Sequence, residues 1–145
     1  MGLRSWLAGR LIVKKSLGQR GEDFAARYLQ RLGYHIVSRQ VDLRVGELDL
    51  VAVDNNTDSG RTVVFVEVKT RTNTDAGSPA EAVDDRRQER MTRAALAYLK
   101  SHGLLEYPAR FDVIALTWPD GARTPIVEHI QNAFPAAGGR GQFFS

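Results

Sequence analysis

The sequence predicts an α/β domain, a mixed β-sheet flanked by helices, and three observations carry that expectation. Helical periodicity with start and stop signals appears twice, over 17–32 and from Asp84 to Gly103. Runs of strand-forming residues at 62–70 and 111–117 stand on either side of the second helix, and the first helix precedes every strand. A chain of 145 residues is long enough to bury one substantial core.

The elements follow in order. Residues 1–16 hold Arg4, Arg10, Lys14 and Lys15 without an acid and read as a basic arm. One α/β unit is expected over 17–135, and the Gly-rich 136–145 as a tail. Ser16 with Gln19 three residues on makes a capping box. Ala25, Tyr28, Leu29 and Leu32 then recur at helical spacing until Gly33 stops the run. A short strand is expected over 35–39 and another over 48–53, with Leu48, Leu50 and Ala52 on one face and Glu47, Asp49 and Val51 on the other. Residues 54–60, Asp-Asn-Asn-Thr-Asp-Ser-Gly, have the composition of a turn-rich loop. Thr62 to Thr70 is the strongest strand, with five β-branched or aromatic residues in succession. Ser78, Pro79 and Glu81 give a helix-start signal, and helix continues or restarts at Asp84 and Asp85 with Met91, Ala94, Ala95, Tyr98 and Leu99 as its apolar stripe. Residues 111–117 and, more weakly, 126–130 complete the strands.

Composition removes several classes of function. No uninterrupted apolar run approaches the roughly 18 residues that span a bilayer, so no membrane association is expected. Arg10 interrupts the apolar stretches near the start before a signal-peptide core forms, and Trp6 stands where a myristoylation signal needs Ser or Thr. Zero cysteines exclude disulfides, thiolate nucleophiles and Cys-based zinc sites and suit a reducing cytoplasm. Net charge is +3, and 16 of the 20 basic residues are Arg, whose planar fork grips phosphate oxygens in pairs. An Arg-rich coding composition yields the same bias.

The residues that carry chemistry are Asp49, Glu67 and Lys69. Alternation along 62–70 puts Phe65, Glu67 and Lys69 on one face, so an acid and an amine project together from a strand expected to be central. A symmetric hairpin between 48–53 and 62–70 pairs 53 with 63 and therefore sets Asp49 opposite Glu67, with Cβ atoms about 5 Å apart. Facing carboxylates repel unless a cation or a proton lies between them. With no Cys and no close His pair, a hard divalent ion held by oxygen is the natural occupant. Glu22, three residues before Ala25 and seven before Leu29, falls on the core-facing stripe of the first helix, within reach of the same ion. Two plainer readings stand beside these. Glu22 also suits a helix N-terminus, where the macrodipole favours an acid, and the strand charges also suit ion pairs on a sheet face.

Further along, Arg86, Arg90, Arg93 and Lys100 share one helix face opposite Met91, Ala95 and Leu99, a stripe that either follows a nucleic-acid backbone or is simply solvated. His35, His102 and His129 are too far apart for a zinc-protease motif and read as surface or packing residues. No phosphate-loop motif is present, and Trp6 and Trp118 read as core aromatics rather than stacking platforms.

The segments Gly46-Glu47-Leu48-Asp49-Leu50-Val51-Ala52 and Val64-Phe65-Val66-Glu67-Val68-Lys69-Thr70-Arg71 resemble the YraN-like family of small bacterial proteins, within the PD-(D/E)xK nuclease superfamily. Gly18-Gln19-Arg20-Gly21-Glu22 and Pro79-Ala80-Glu81-Ala82-Val83 match the same family, and the likeness covers about residues 18 to 117. Leu48 stands where the superfamily's name has Pro. The resemblance implies a restriction-endonuclease-like core similar to archaeal Holliday-junction resolvases. It further implies Asp49 and Glu67 as metal ligands, Lys69 as catalytic lysine and Glu22 as an accessory helix acid.

The activity so implied is metal-dependent endonucleolytic hydrolysis of DNA, branched DNA included, leaving 5′-phosphate and 3′-hydroxyl ends. Mg²⁺ or Mn²⁺ would be held by Asp49, Glu67, the Val68 carbonyl and Glu22. Arg71, Arg86, Arg90, Arg93 and Lys100 would bind the nucleic acid, and a homodimer is compatible with the family. The competing expectations are a nucleic-acid-binding module that keeps this fold without turnover, and a protein-interaction module docking through its basic arm.

Overall fold

The computed structural model describes residues 14–73, 75 and 83–137. The basic arm, apart from Lys14 to Ser16, the helix-start signal at Ser78, Pro79 and Glu81, and the tail beyond 137 lie outside the described residues.

Helix α1 spans Leu17–Arg31 and begins at the expected capping box, in which the Ser16 hydroxyl accepts from the Gln19 N–H while the Gln19 side chain accepts from the Ser16 N–H. It ends where Gly33 takes φ +94. The Gly33 N–H then reaches the Gln30 carbonyl and the Tyr34 N–H that of Leu29, so the last carbonyls are not orphaned. Five strands follow: β1 His35–Leu43, β2 Gly46–Thr57, β3 Gly60–Arg71, β4 Ala109–Thr117 and β5 Ile126–Phe134, with α2, Asp85–Ser101, between β3 and β4. Asp84 caps α2, its carboxylate accepting from the Arg87 N–H at 2.8 Å. The same glycine device closes the helix at Gly103, with φ +67 and the Leu104 N–H on the Leu99 carbonyl.

The sheet runs in sequence order, antiparallel throughout except for the parallel pair β3 and β4. Parallel strands need a crossover, and the stretch containing α2 supplies it. The helices cover opposite faces. Ala25, Ala26 and Leu29 of α1 bury against Leu50, Ala52, Val64, Val66, Ile114 and Leu116. Met91, Ala94, Ala95, Tyr98 and Leu99 of α2 bury against Leu48, Val51, Val63, Phe65, Phe111 and Val113. Strand β3 is in the middle, and its long apolar run follows from being covered on both sides. The result is a mixed α/β sandwich of the class the sequence predicts.

Three expectations change. Residues 54–60 are not a loop: β2 continues to Thr57 and β3 begins at Gly60, leaving a two-residue turn. The polar side chains there bond to the hairpin itself, the Thr57 hydroxyl lying 3.0 Å from that of Thr62 and the Asp54 carboxylate accepting from the Asn56 N–H. The first strand runs to Leu43 rather than 39, and the last to Phe134 rather than 130. Leu48 does not share a face with Leu50 and Ala52. It packs with Val51 on the α2 side, because the regular β2–β3 ladder ends at the Leu50–Val66 pair and the strand turns about Asp49.

Candidate active site

The hairpin register is the symmetric one. Val53 pairs with Val63 and Leu50 with Val66, so Asp49 and Glu67 emerge directly beyond the last pair. In place of a backbone partner, the Asp49 carboxylate accepts the Val68 N–H at 2.9 Å. That bond fixes the acid against the Glu67–Lys69 segment.

Glu67 is buried, its side chain 4% exposed, and Lys69 on the same face holds its Nζ 3.9 Å from Glu67 Oε1 while remaining 40% exposed. The guanidinium of Arg87 grips the Glu67 carboxylate with two bonds, Nε to Oε2 at 3.0 Å and Nη2 to Oε1 at 3.2 Å. Burial, with the facing charge of Asp49, pushes the Glu67 carboxyl up to about 7, against the opposing pull of Arg87 and Lys69. The cation that the facing acids require is therefore supplied in part by Arg87.

Sequence reasoning passed over Arg87 while weighing its neighbours Arg86 and Arg90. A signal was present: Arg87 lies four residues after Val83 and four before Met91, on the apolar stripe rather than the solvated one.

Glu22 reaches the site because α1 lies close to the end of β3. At Gly21 an added Cβ would fall 1.8 Å from the Thr70 hydroxyl, so only glycine permits this approach. Glu22 itself is half-buried, and its Oε1 is enclosed without a hydrogen-bond partner among the described residues. Burial raises its carboxyl above the usual range, and the Asp49 charge raises it further, while the Gln40 side chain and Arg39 pull the other way. Gln40 stands in β1 at φ +47, a conformation costly for a long side chain. No composition or spacing signal marks it. Glu22, Gln40, Asp42, Glu47, Leu48 and Asp49 line an open cleft of about 270 Å³.

Among the described residues no group of three or more His, Cys, Asp or Glu side chains is arranged to hold one ion, since Glu67 is turned onto Arg87. The donor set nevertheless suits a hard divalent cation. Its atoms are all oxygen, and one of them, Glu22 Oε1, is buried without a partner among the described residues.

The basic stripe lies where expected, with Arg86, Arg90, Arg93 and Lys100 exposed on α2, and Arg93 paired to Glu89 at 2.7 Å. Arg71 is half-buried at the end of β3, where its carbonyl accepts the Trp118 N–H. Trp118 is buried, with Phe24 edge-on to it and Arg20 over its ring, which agrees with a core role. His35 and His102 are exposed, and His129 packs between Tyr28 and Tyr34 with its Nε2 on Asp112. No helix among the described residues is long and apolar enough to cross a membrane.

A helix, three antiparallel strands, a crossover helix and a strand parallel to the third define a restriction-endonuclease-like α/β domain, here with acids at the ends of its second and third strands. Within that class the chain belongs to uncharacterised protein family UPF0102, the YraN-like group, whose model matches residues 21–116. A UPF0102 protein of Rhodopirellula baltica is 44% identical over 94% of this chain and 83% of its own length. One from Geobacter sulfurreducens is 50% identical over 85% of this chain and 91% of its own, and one from Caldanaerobacter subterraneus 40% over 85% and 98%. Glu22, Gln40, Asp49, Glu67, Lys69 and Arg87 thus fall inside the matched region.

Proposed function

We propose that the protein is a metal-dependent endonuclease hydrolysing DNA phosphodiester bonds, with branched DNA among its candidate substrates. The observation that carries this reading is the incomplete carboxylate site: a partnerless buried Glu22 oxygen beside Asp49, with Glu67 and Lys69 two residues apart on the neighbouring strand.

Asp49, Glu67, Glu22 and the Val68 carbonyl are the groups that would hold Mg²⁺ or Mn²⁺. Such an ion supplies an acidified water and a Lewis acid for a phosphate oxygen. Lys69, 40% exposed, would orient an attacking water and offset charge developing on the phosphorus. The Asp49 bond to the Val68 N–H holds the two acid-bearing strands at one spacing. Arg71, Arg86, Arg90, Arg93 and Lys100 provide the positive field that draws in a phosphate backbone.

A second reading, a nucleic-acid-binding module without turnover, is favoured by one observation, the engagement of Glu67 by Arg87. Cleavage assays with Mg²⁺ and Mn²⁺ on linear duplex, single strand, flap and four-way junction separate the two. The nuclease reading expects cutting of at least one substrate and a loss of at least about a hundredfold in Lys69→Ala, with DNA binding little changed. A variant that cuts as fast as wild type removes Lys69 from the mechanism, and no cutting of any substrate favours the binding module.

A further inference from the structure

We propose that Arg87 is a phosphate clamp which Glu67 occupies until a divalent cation takes that carboxylate away, so that metal binding and nucleic-acid binding are coupled through one guanidinium. The inference rests on the reading of the site given above and adds to it the group that recognises the backbone phosphate.

The placement of Arg87 is hard to explain by stability of the helix. It lies in the first turn of α2, where the macrodipole disfavours a cation, and on the buried stripe between Val83 and Met91. What holds it there is the Glu67 carboxylate, bound through two parallel bonds. Glu67 in turn faces two demands. Arg87 binds it on one side, and on the other stands the charge of Asp49, which repels it unless a cation intervenes.

If Glu67 turns to a cation shared with Asp49, the Arg87 fork loses its anion. The side chain is 27% exposed and neighbours the exposed Arg86 and Arg90 on one helix turn, with Lys69 of β3 at ion-pair distance, 3.9 Å, from Glu67. A fork that matches a carboxylate matches the non-bridging oxygens of a phosphodiester equally well. Because coupling is reciprocal, a cation that frees Arg87 tightens DNA binding, and DNA that engages Arg87 tightens cation binding.

The test uses the full chain, Ca²⁺ as the cation and a fluorescent four-way junction and duplex as probes, at constant ionic strength. Anisotropy titrations with EDTA and with Ca²⁺ are run on wild type, Arg87→Gln and Arg87→Lys, and thermal melts follow Ca²⁺ binding to the protein alone. Wild type is expected to bind DNA about tenfold tighter with Ca²⁺. Arg87→Gln is expected to bind Ca²⁺ at least as well as wild type, since nothing competes for Glu67, yet to show the same DNA affinity with and without it. Arg87→Lys keeps the charge beside Glu67 and so guards against a folding defect. Having no fork, it should recover only a small part of the coupling. Full Ca²⁺-dependent tightening in Arg87→Gln overturns the clamp and leaves the metal site standing. A wild type whose melting ignores Ca²⁺, or which binds neither probe, overturns the reading of the site itself.

Discussion

Two groups of buried charges lie on this sheet, and they are finished to different degrees. On the α1 side, Asp112 of β4 is fully buried and accepts four bonds from three partners, His129 Nε2 at 2.9 Å, Arg110 Nε at 3.0 Å and Nη2 at 3.4 Å, and the Asn132 N–H at 2.9 Å. Arg110 reaches on to Asp54 and to the Tyr34 hydroxyl, which also accepts from Gln131. Where β2 and β3 leave their ladder, by contrast, Glu22 keeps an enclosed oxygen with no partner among the described residues, and Glu67 faces Asp49 with Arg87 and the more distant Lys69 as its cations. The carboxyls differ accordingly. Burial alone would raise Asp112, but its three partners together hold it below the usual range, whereas burial and Asp49 carry Glu67 up to about 7. Both regions contain one non-glycine residue with positive φ. In the first it is Asn132, a residue that tolerates this conformation, and in the second Gln40, which does not. The closed cluster holds the strands together, and the open one is where we propose that a cation binds.

Removing an acid should therefore have opposite effects in the two places. The largest expected effect is at the closed cluster. Asp112→Ala leaves Arg110 and His129 buried with their main partner gone and should cost about 3 to 5 kcal/mol, read as a lower urea midpoint. The pH dependence has a definite sign. A carboxyl whose folded-state pKa is depressed stabilises above its unfolded value of 3.8 and loses that contribution as pH falls through the folded value, so the gap between wild type and variant should narrow below about pH 4. A variant as stable as wild type at pH 7 would erase the distinction drawn here.

A smaller effect sharpens the open side. If Arg86, Arg90, Arg93 and Lys100 each neutralise one phosphate, replacing all four with Gln should flatten the dependence of log K on log salt by about 3 to 4, at roughly 0.9 per contact. Arg93 must leave Glu89 to take part, which makes the lower end of that range the closer expectation. Equal slopes would return this face to solvent.

Much of the open cluster was legible in the sequence, for identifiable reasons. The 53–63 pairing follows from two strands joined by a short connection, and it survived the misreading of 54–60, because shortening a symmetric hairpin loop does not change its register. Capping chemistry placed the first helix start, at Ser16, to the residue, and the second helix begins where a continuation or restart is expected, at Asp84 and Asp85. What was missed depended on residues acting at a distance. Leu48 follows the alternation of an ideal strand only until the Asp49 side chain replaces a ladder bond with the Val68 N–H. Arg87 and the Arg110–Asp112 pair stand as charges in apolar periodicity, of helix and strand respectively, but Glu67 for the first and Asp54, Tyr34, His129 and Asn132 for the second come from other elements. The positive φ of Gln40 left no trace in composition at all.

The central claim is that the facing acids form a cation site, and it needs no substrate to test. Thermal melts of wild type and Asp49→Asn with EDTA and with Mg²⁺ or Mn²⁺ address it directly. At about ten times its dissociation constant, the ion should stabilise wild type by roughly 1.4 kcal/mol, a rise of about 3 to 6 °C in Tm. Asp49→Asn removes one of two opposed charges, so it should melt higher than wild type in EDTA and lose most of the metal response. That advantage should be larger at pH 8, where Glu67 is charged, than at pH 5, where a carboxyl pushed up to about 7 is protonated. A wild-type Tm unmoved by millimolar Mg²⁺ and Mn²⁺, with Asp49→Asn less stable than wild type in EDTA, would make the acids a sheet-face ion-pair set and contradict the account.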